Sequence, residues 1–73
     1  MPSTFTVTAI WDPEPRVFTS QSDIPGLVVE AETFEVFVGL VEALAPEMIA
    51  ANLPAAVRPY TVKVETRREL AMA

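Results

Sequence analysis

The sequence predicts an α+β fold in which one helix covers one face of a four-stranded sheet. Apolar and polar residues alternate over residues 4–11 and again over 59–66, which is the period of half-buried strands. Between them, over residues 34–49, apolar residues recur at the three- and four-residue spacing of an amphipathic helix. A Pro-Gly pair at 25–26 marks a chain reversal ahead of that helix.

The first strand and the turn after it are the clearest part of the pattern. In "TFTVTAIW" the alternation predicts one inward-facing set, Phe5, Val7, Ala9 and Trp11. Two prolines in "DPEP", residues 12–15, predict a turn. The segment "RVFTSQS", residues 16–22, is the predicted second strand. Its inward face stays open, because Val17 and Phe18 point to opposite sides.

The stretch "SDIPGLVVEAETFE" predicts a type II turn over residues 24–27. Pro25 fixes φ at the second turn position, and Gly26 tolerates the positive φ that the third position requires. Asp23 precedes the turn and is expected to bond a nearby backbone N–H. The residues "LVVEA", 27–31, then form the third strand of an antiparallel meander.

The helix is predicted to begin after Thr33, whose side chain is a typical N-cap, with Glu35 in the first turn. A capping box is incomplete, because Val36 stands where Glu or Gln would be. The predicted buried stripe is Phe34, Phe37, Val38, Val41, Leu44, Ala45, Met48 and Ile49. Pro46 interrupts it, so either the helix kinks there or a second short helix begins there.

The fourth strand, "PYTVKVET", follows the helix and completes the order β-β-β-α-β. Crossovers between parallel strands are right-handed in nearly all proteins, which places strand four beside strand one. The predicted sheet order is therefore 3-2-1-4 in a two-layer domain over residues 1–66. Residues 67–73 have no strong pattern and are predicted to be a flexible tail.

Composition favours a protein that associates with other chains. The chain has 73 residues and is 51% hydrophobic, more than one small core can bury. Net charge is −5, and residues 1–56 contain eight acids but one base. This charge disfavours nucleic-acid binding. Acidic residues of this kind most often serve solubility, and the alternative is that they attract a basic partner. With no signal peptide and no apolar run long enough for a membrane span, we expect a cytoplasmic protein.

Catalytic and metal-binding motifs are missing from the sequence. It contains no His and no Cys, no nucleophile elbow, and only Gly26 and Gly39, which rules out a glycine-rich phosphate loop. Carboxylates are the remaining metal ligands, with Asp12, Glu42 and Glu65 the candidates. We expect these three to lie apart, since Glu42 lies off the apolar stripe and Glu65 faces away from it. We therefore predict no enzyme activity, no cofactor and no metal site.

Two features are candidates for contact with a partner. Val36 and Leu40 lie off the main helical stripe, so they belong either to a surface patch or to a wide buried face. With the acidic residues Glu30, Glu32 and Glu35 they form the predicted partner surface. The edges of the sheet, strands three and four, also offer unpaired backbone groups to another strand. A homodimer is the expected oligomer.

The segments "FTVTAIWD", "SDIPGLVVEAET", "LAPEM" and "YTVKVE" resemble the HicB-like antitoxin superfamily, and in particular a small stand-alone branch of unknown function. In that superfamily an aspartate, an apolar residue and Pro-Gly join strands two and three, and a Thr caps the helix. Asp23, Ile24, Pro25, Gly26 and Thr33 match those positions. The resemblance covers residues 4–66.

This resemblance implies a domain with a degraded RNase H-like core and no active site of its own. Members with known roles self-associate and neutralise HicA-like toxins, which are small basic RNases. Many also carry a C-terminal DNA-binding segment. Residues 67–73 are too few for such a segment, so we expect no direct nucleic-acid binding. The alternative is a self-associating structural domain with no toxin partner.

Overall fold

The computed structural model describes residues 3–68 and residue 72. The predicted order of three strands, one helix and a fourth strand is confirmed. The elements are β1 Thr4–Asp12, β2 Val17–Ser22, β3 Glu30–Ala31, α1 Phe34–Asn52 and β4 Thr61–Arg67. No helix in this described part of the chain is long and apolar enough to cross a membrane.

The four strands form one mixed sheet in the predicted order, β3-β2-β1-β4. β1 pairs antiparallel with β2, and β2 pairs antiparallel with β3. β4 lies parallel to β1, with Val7 opposite Val64. A parallel neighbour requires a crossover connection, and α1 supplies it. The α+β class and the sheet order are therefore confirmed.

The core lies between α1 and the face of the sheet that β1 presents through alternate residues. The buried apolar residues are Phe5, Val7, Ala9, Ile24, Leu27, Val29, Ala31, Phe37, Val41, Ala45 and Ile49. Burying a large apolar side chain contributes roughly 1.5–3 kcal/mol, so this cluster dominates the stability of the domain. Trp11, which was predicted to face inward, is only partly buried at the rim of the core.

The structure resolves which residue of β2 faces the helix. Phe18 lies opposite Trp11 in the strand register, and their ring centroids are 4.9 Å apart. The Phe18 ring also contacts Phe34 of α1, at a centroid distance of 6.1 Å. Val17 therefore points to the opposite face of the sheet.

β3 is shorter than predicted, because only Glu30 and Ala31 of the predicted strand 27–31 pair with β2. The Ser20 hydroxyl accepts a hydrogen bond from the Val29 N–H, at 2.8 Å, in place of a backbone carbonyl. The Ser20 N–H in turn donates to the Val29 carbonyl, at 3.0 Å. A side chain thus ends the regular ladder, and the residues before β3 pack as a loop.

Helix α1 continues through Pro46 as one element from Phe34 to Asn52. The alternative in which a second helix begins at Pro46 is therefore wrong. A proline has no N–H to donate to the carbonyl four residues earlier, that of Glu42. Pro46 and Glu42 are both exposed, so water can reach the carbonyl that the proline leaves unbonded.

The end of β4 crosses the predicted domain boundary. Arg67, assigned to the tail 67–73 by the sequence, is the last residue of β4. The Arg68 guanidinium lies over the Trp11 ring, 5.1 Å from its centroid. Within the rest of the predicted tail, residues 69–71 and 73 lie outside the described residues.

Candidate interaction surface

The Asp23–Gly26 motif holds three parts of the fold together. An Asp23 carboxylate oxygen accepts the Thr6 N–H of β1, at 3.0 Å. The Leu27 N–H donates to the Ile24 carbonyl at 3.3 Å, and Gly26 has φ +80°, as the predicted type II turn requires. These contacts give the motif a structural role.

Asn52 connects this turn to the end of α1, a contact that sequence reasoning missed. Its side-chain amide donates to the Pro25 carbonyl, at 3.1 Å across 27 positions of sequence. A Cβ built on Gly26 would lie 3.1 Å from the same amide nitrogen. The positive φ of the turn therefore favours glycine at this position, and the Asn52 side chain leaves an added Cβ little room.

Thr33 caps α1 as predicted. Its hydroxyl accepts the Val36 N–H at 3.2 Å, and its backbone is extended, with φ −126° and ψ 156°. Glu35 lies in the first turn of the helix, where the macrodipole favours a negative charge. The cap fixes the start of α1 and thereby the positions of Glu35 and Val36 in its first turn.

Four of the five predicted partner-surface residues lie on α1 or just before it. Val36 is 55% exposed and Leu40 36% exposed, so the wide buried face is wrong, and their contact with a partner stays a prediction. Glu32, just before the helix, and Glu35, in its first turn, are also exposed. We call Glu32, Glu35, Val36 and Leu40 the acidic helix surface.

Glu30 lies apart from this surface. It pairs with Thr19 in β2, whereas its neighbour Ala31 is buried and pairs with Phe18. Successive strand residues point to opposite faces, so Glu30 projects from the sheet face that α1 does not cover.

An apolar groove of about 480 Å³ runs between α1 and β4. Val38 and Val41 line it from the helix, and Val62 and Val64 line it from the strand. Among the described residues that line it, Glu42 is the one with a charge. The groove therefore offers mainly apolar binding area.

The three candidate metal ligands lie apart. Glu42 is on α1, whereas Glu65 projects from the opposite face of the sheet, in register with Thr8. An Asp12 carboxylate oxygen accepts the Glu14 N–H in the turn after β1, at 3.2 Å. Among the described residues, no group of three or more potential ligands stands close enough to hold a metal ion.

Comparison with known proteins gives a similar solved structure and a family. It is similar to the hypothetical protein TTHA1013 from the extremely thermophilic bacterium Thermus thermophilus, at 34% identity and a TM-score of 0.82. The similarity covers 94% of this chain and 99% of that one. No curated protein matches. The family described as a domain of unknown function, DUF1902, matches residues 4–73, and the chain belongs to that family.

Proposed function

We propose that this chain is a non-catalytic binding domain of the HicB type, which binds a small basic protein through the acidic helix surface. The observation that carries the proposal is the segregation of charge on α1. The helix contains Glu35, Glu42 and Glu47 and no basic residue, and all three are exposed. The bases of the described chain lie elsewhere, on the β1–β2 turn, before β4 and along or after β4: Arg16, Arg58, Lys63, Arg67 and Arg68.

Apolar and charged residues have separate roles in this proposal. Val36 and Leu40 are one helical turn apart and supply contact area that water leaves on binding. Glu32 and Glu35 attract a basic surface, raise the association rate and disfavour acidic partners. Such a mixture supports a binding surface more than it supports acids that serve solubility alone.

The HicB resemblance supports a specific kind of partner. The residues that match the superfamily, Asp23, Pro25, Gly26 and Thr33, hold the turn and the helix start that display this surface. HicB-like antitoxins neutralise small basic RNases by covering them, which requires no active site in the antitoxin. We therefore infer that the partner of this chain is a small basic RNase of the HicA type.

The proposal is tested by purifying a tagged full chain from its native cells and identifying the small basic protein that copurifies. Binding of that protein is then measured for the wild type and for the E32K/E35K variant. We expect the variant to raise the dissociation constant at least about tenfold, because two attractive charges become repulsive. Inhibition of RNase activity in the captured protein should weaken in parallel.

The matched control is E14K, which reverses an exposed acid in the turn between β1 and β2, an element other than α1. If E14K binds with wild-type affinity, the position of the reversed acid determines binding, and not the net charge of the chain alone. Equal losses in both variants would reduce the effect to non-specific charge attraction. A captured protein without RNase activity would contradict the toxin assignment, and no basic partner at all would contradict the proposal itself.

A further inference from the structure

The outer edge of β4 is an unpaired strand of seven residues. β4 pairs with β1 on one side, and no other described strand lies beyond it. The opposite edge of the sheet is β3, whose two residues are too short to accept another strand. β4 is therefore the edge of this sheet at which a further strand can add.

The backbone groups that face outward from β4 follow from its pairing with β1. The Thr61 N–H donates to the Ser3 carbonyl of the N-terminal segment, at 2.9 Å. Backbone groups alternate in direction along a strand, so odd-numbered residues of β4 bond to β1. The N–H and C=O groups of Val62, Val64 and Thr66 point away from the sheet.

Apolar side chains at this edge are incompletely covered. Val64 lies opposite Val7 on the helix-facing side of the sheet, yet Val7 is 0% exposed and Val64 is only partly buried. Val62 is likewise partly buried beside Phe5, which is buried. Both valines line the groove between α1 and β4. A strand added at this edge would cover them.

The charges along β4 are arranged for pairing with a second copy of itself. Lys63 precedes Val64 and Glu65 follows it, and both project from the exposed face of the sheet. We propose that two copies of this chain dimerise by antiparallel pairing of their β4 strands about a two-fold axis at Val64. Lys63 of each copy then lies directly opposite Glu65 of the other.

This register agrees with the direction of the backbone groups. Val64 faces its own counterpart, and Val62 faces Thr66 of the second copy, so all the residues in hydrogen-bonded pairs are those whose groups point outward. Lys63 and Glu65 then fall in non-hydrogen-bonded pairs, where side chains lie closest. A register shifted by one residue would face outward groups with inward ones.

The dimer would join both sheets into one, with the two α1 helices on the same side. The two apolar grooves would adjoin across the seam. A lone lysine on an edge strand discourages pairing with another strand. In this dimer Glu65 of the second copy lies opposite Lys63 and neutralises it. This inference is independent of the proposed basic partner and goes beyond it.

The test is sedimentation equilibrium of the full chain, with the variants K63E and E65K measured alone and mixed. Each variant alone places like charges opposite each other in both pairs of residues 63 and 65. We expect the dimer dissociation constant to rise at least about tenfold. In the equimolar mixture each pair again joins a carboxylate to an ammonium. The mixture should therefore form a heterodimer with the wild-type dissociation constant, whereas each variant alone dimerises weakly.

A second pair of variants tests the backbone bonds. T66P removes an outward N–H that makes no bond to β1, whereas T66A keeps it, so only T66P should weaken the dimer. Circular dichroism verifies that both variants are folded. A wild type that remains monomeric at every concentration would overturn the proposal. A dimer that K63E, E65K and T66P leave unchanged would also overturn it, because another surface would then hold the copies together.

Discussion

Replacing Gly26 by alanine tests the link between the turn and the end of α1. Gly26 has φ +80°, and a left-handed conformation costs an L-residue about 1–2 kcal/mol. The new Cβ would stand 3.1 Å from the Asn52 amide nitrogen, which must shift by a few tenths of an ångström and so weakens its bond to the Pro25 carbonyl. The intact bond contributes about 1 kcal/mol. We expect G26A to lower the free energy of unfolding by about 1–3 kcal/mol in total.

The assay is urea denaturation followed by circular dichroism, at one fixed protein concentration because association alters apparent stability. Gly39 provides the matched control, because it lies within α1 and a Cβ there meets nothing within 4 Å. G39A should raise stability by about 0.5–1 kcal/mol. The N52A background separates the two terms, since G26A should then cost only the backbone strain, about 1–2 kcal/mol.

Two results would refute this reasoning. A cost for G26A below about 0.5 kcal/mol would show that the turn relaxes without strain. An equal cost for G26A with and without Asn52 would show that the helix end does not press on the turn.

Two further substitutions in α1 have opposite expected signs. T33A removes the acceptor of the Val36 N–H and should lower stability by about 1 kcal/mol in urea denaturation, whereas T33S should retain most of it. P46A restores an N–H to the middle of α1, within reach of the Glu42 carbonyl. It should raise the free energy of unfolding by about 1–3 kcal/mol, measured in the same way, and a decrease would mean that the proline fits a bend on which the core depends.

Features with a local cause were predictable from the sequence. The alternation in β1, the positive φ at Gly26 and the Thr33 cap each depend on residues within a few positions of one another. The sheet order followed because the handedness of crossovers leaves few alternatives. The apolar stripe of α1 was correct at Phe37 and Ile49, because the helical period decides which side chains the core receives.

Features that depend on distant residues were not predictable. The Asn52 amide donates to the Pro25 carbonyl, and the Ser20 hydroxyl accepts the Val29 N–H. No periodic pattern in the sequence indicates either hydrogen bond. The continuous helix at Pro46 reflects tertiary packing that outweighs a local breaker. The face on which Glu30 projects depended on the strand register, which the turn alone did not specify.

The two proposed contacts use different elements of the same domain and can therefore be tested separately. Pairing at β4 lies in the plane of the sheet, whereas Val36 and Leu40 are exposed on α1. The dimer would then present two acidic helix surfaces, and a partner with two basic sites would gain avidity from both. K63E should abolish that gain and leave the affinity of a single site unchanged. If K63E instead abolished partner binding altogether, the partner would occupy the cleft where the two grooves adjoin, and dimer formation would be a precondition of function.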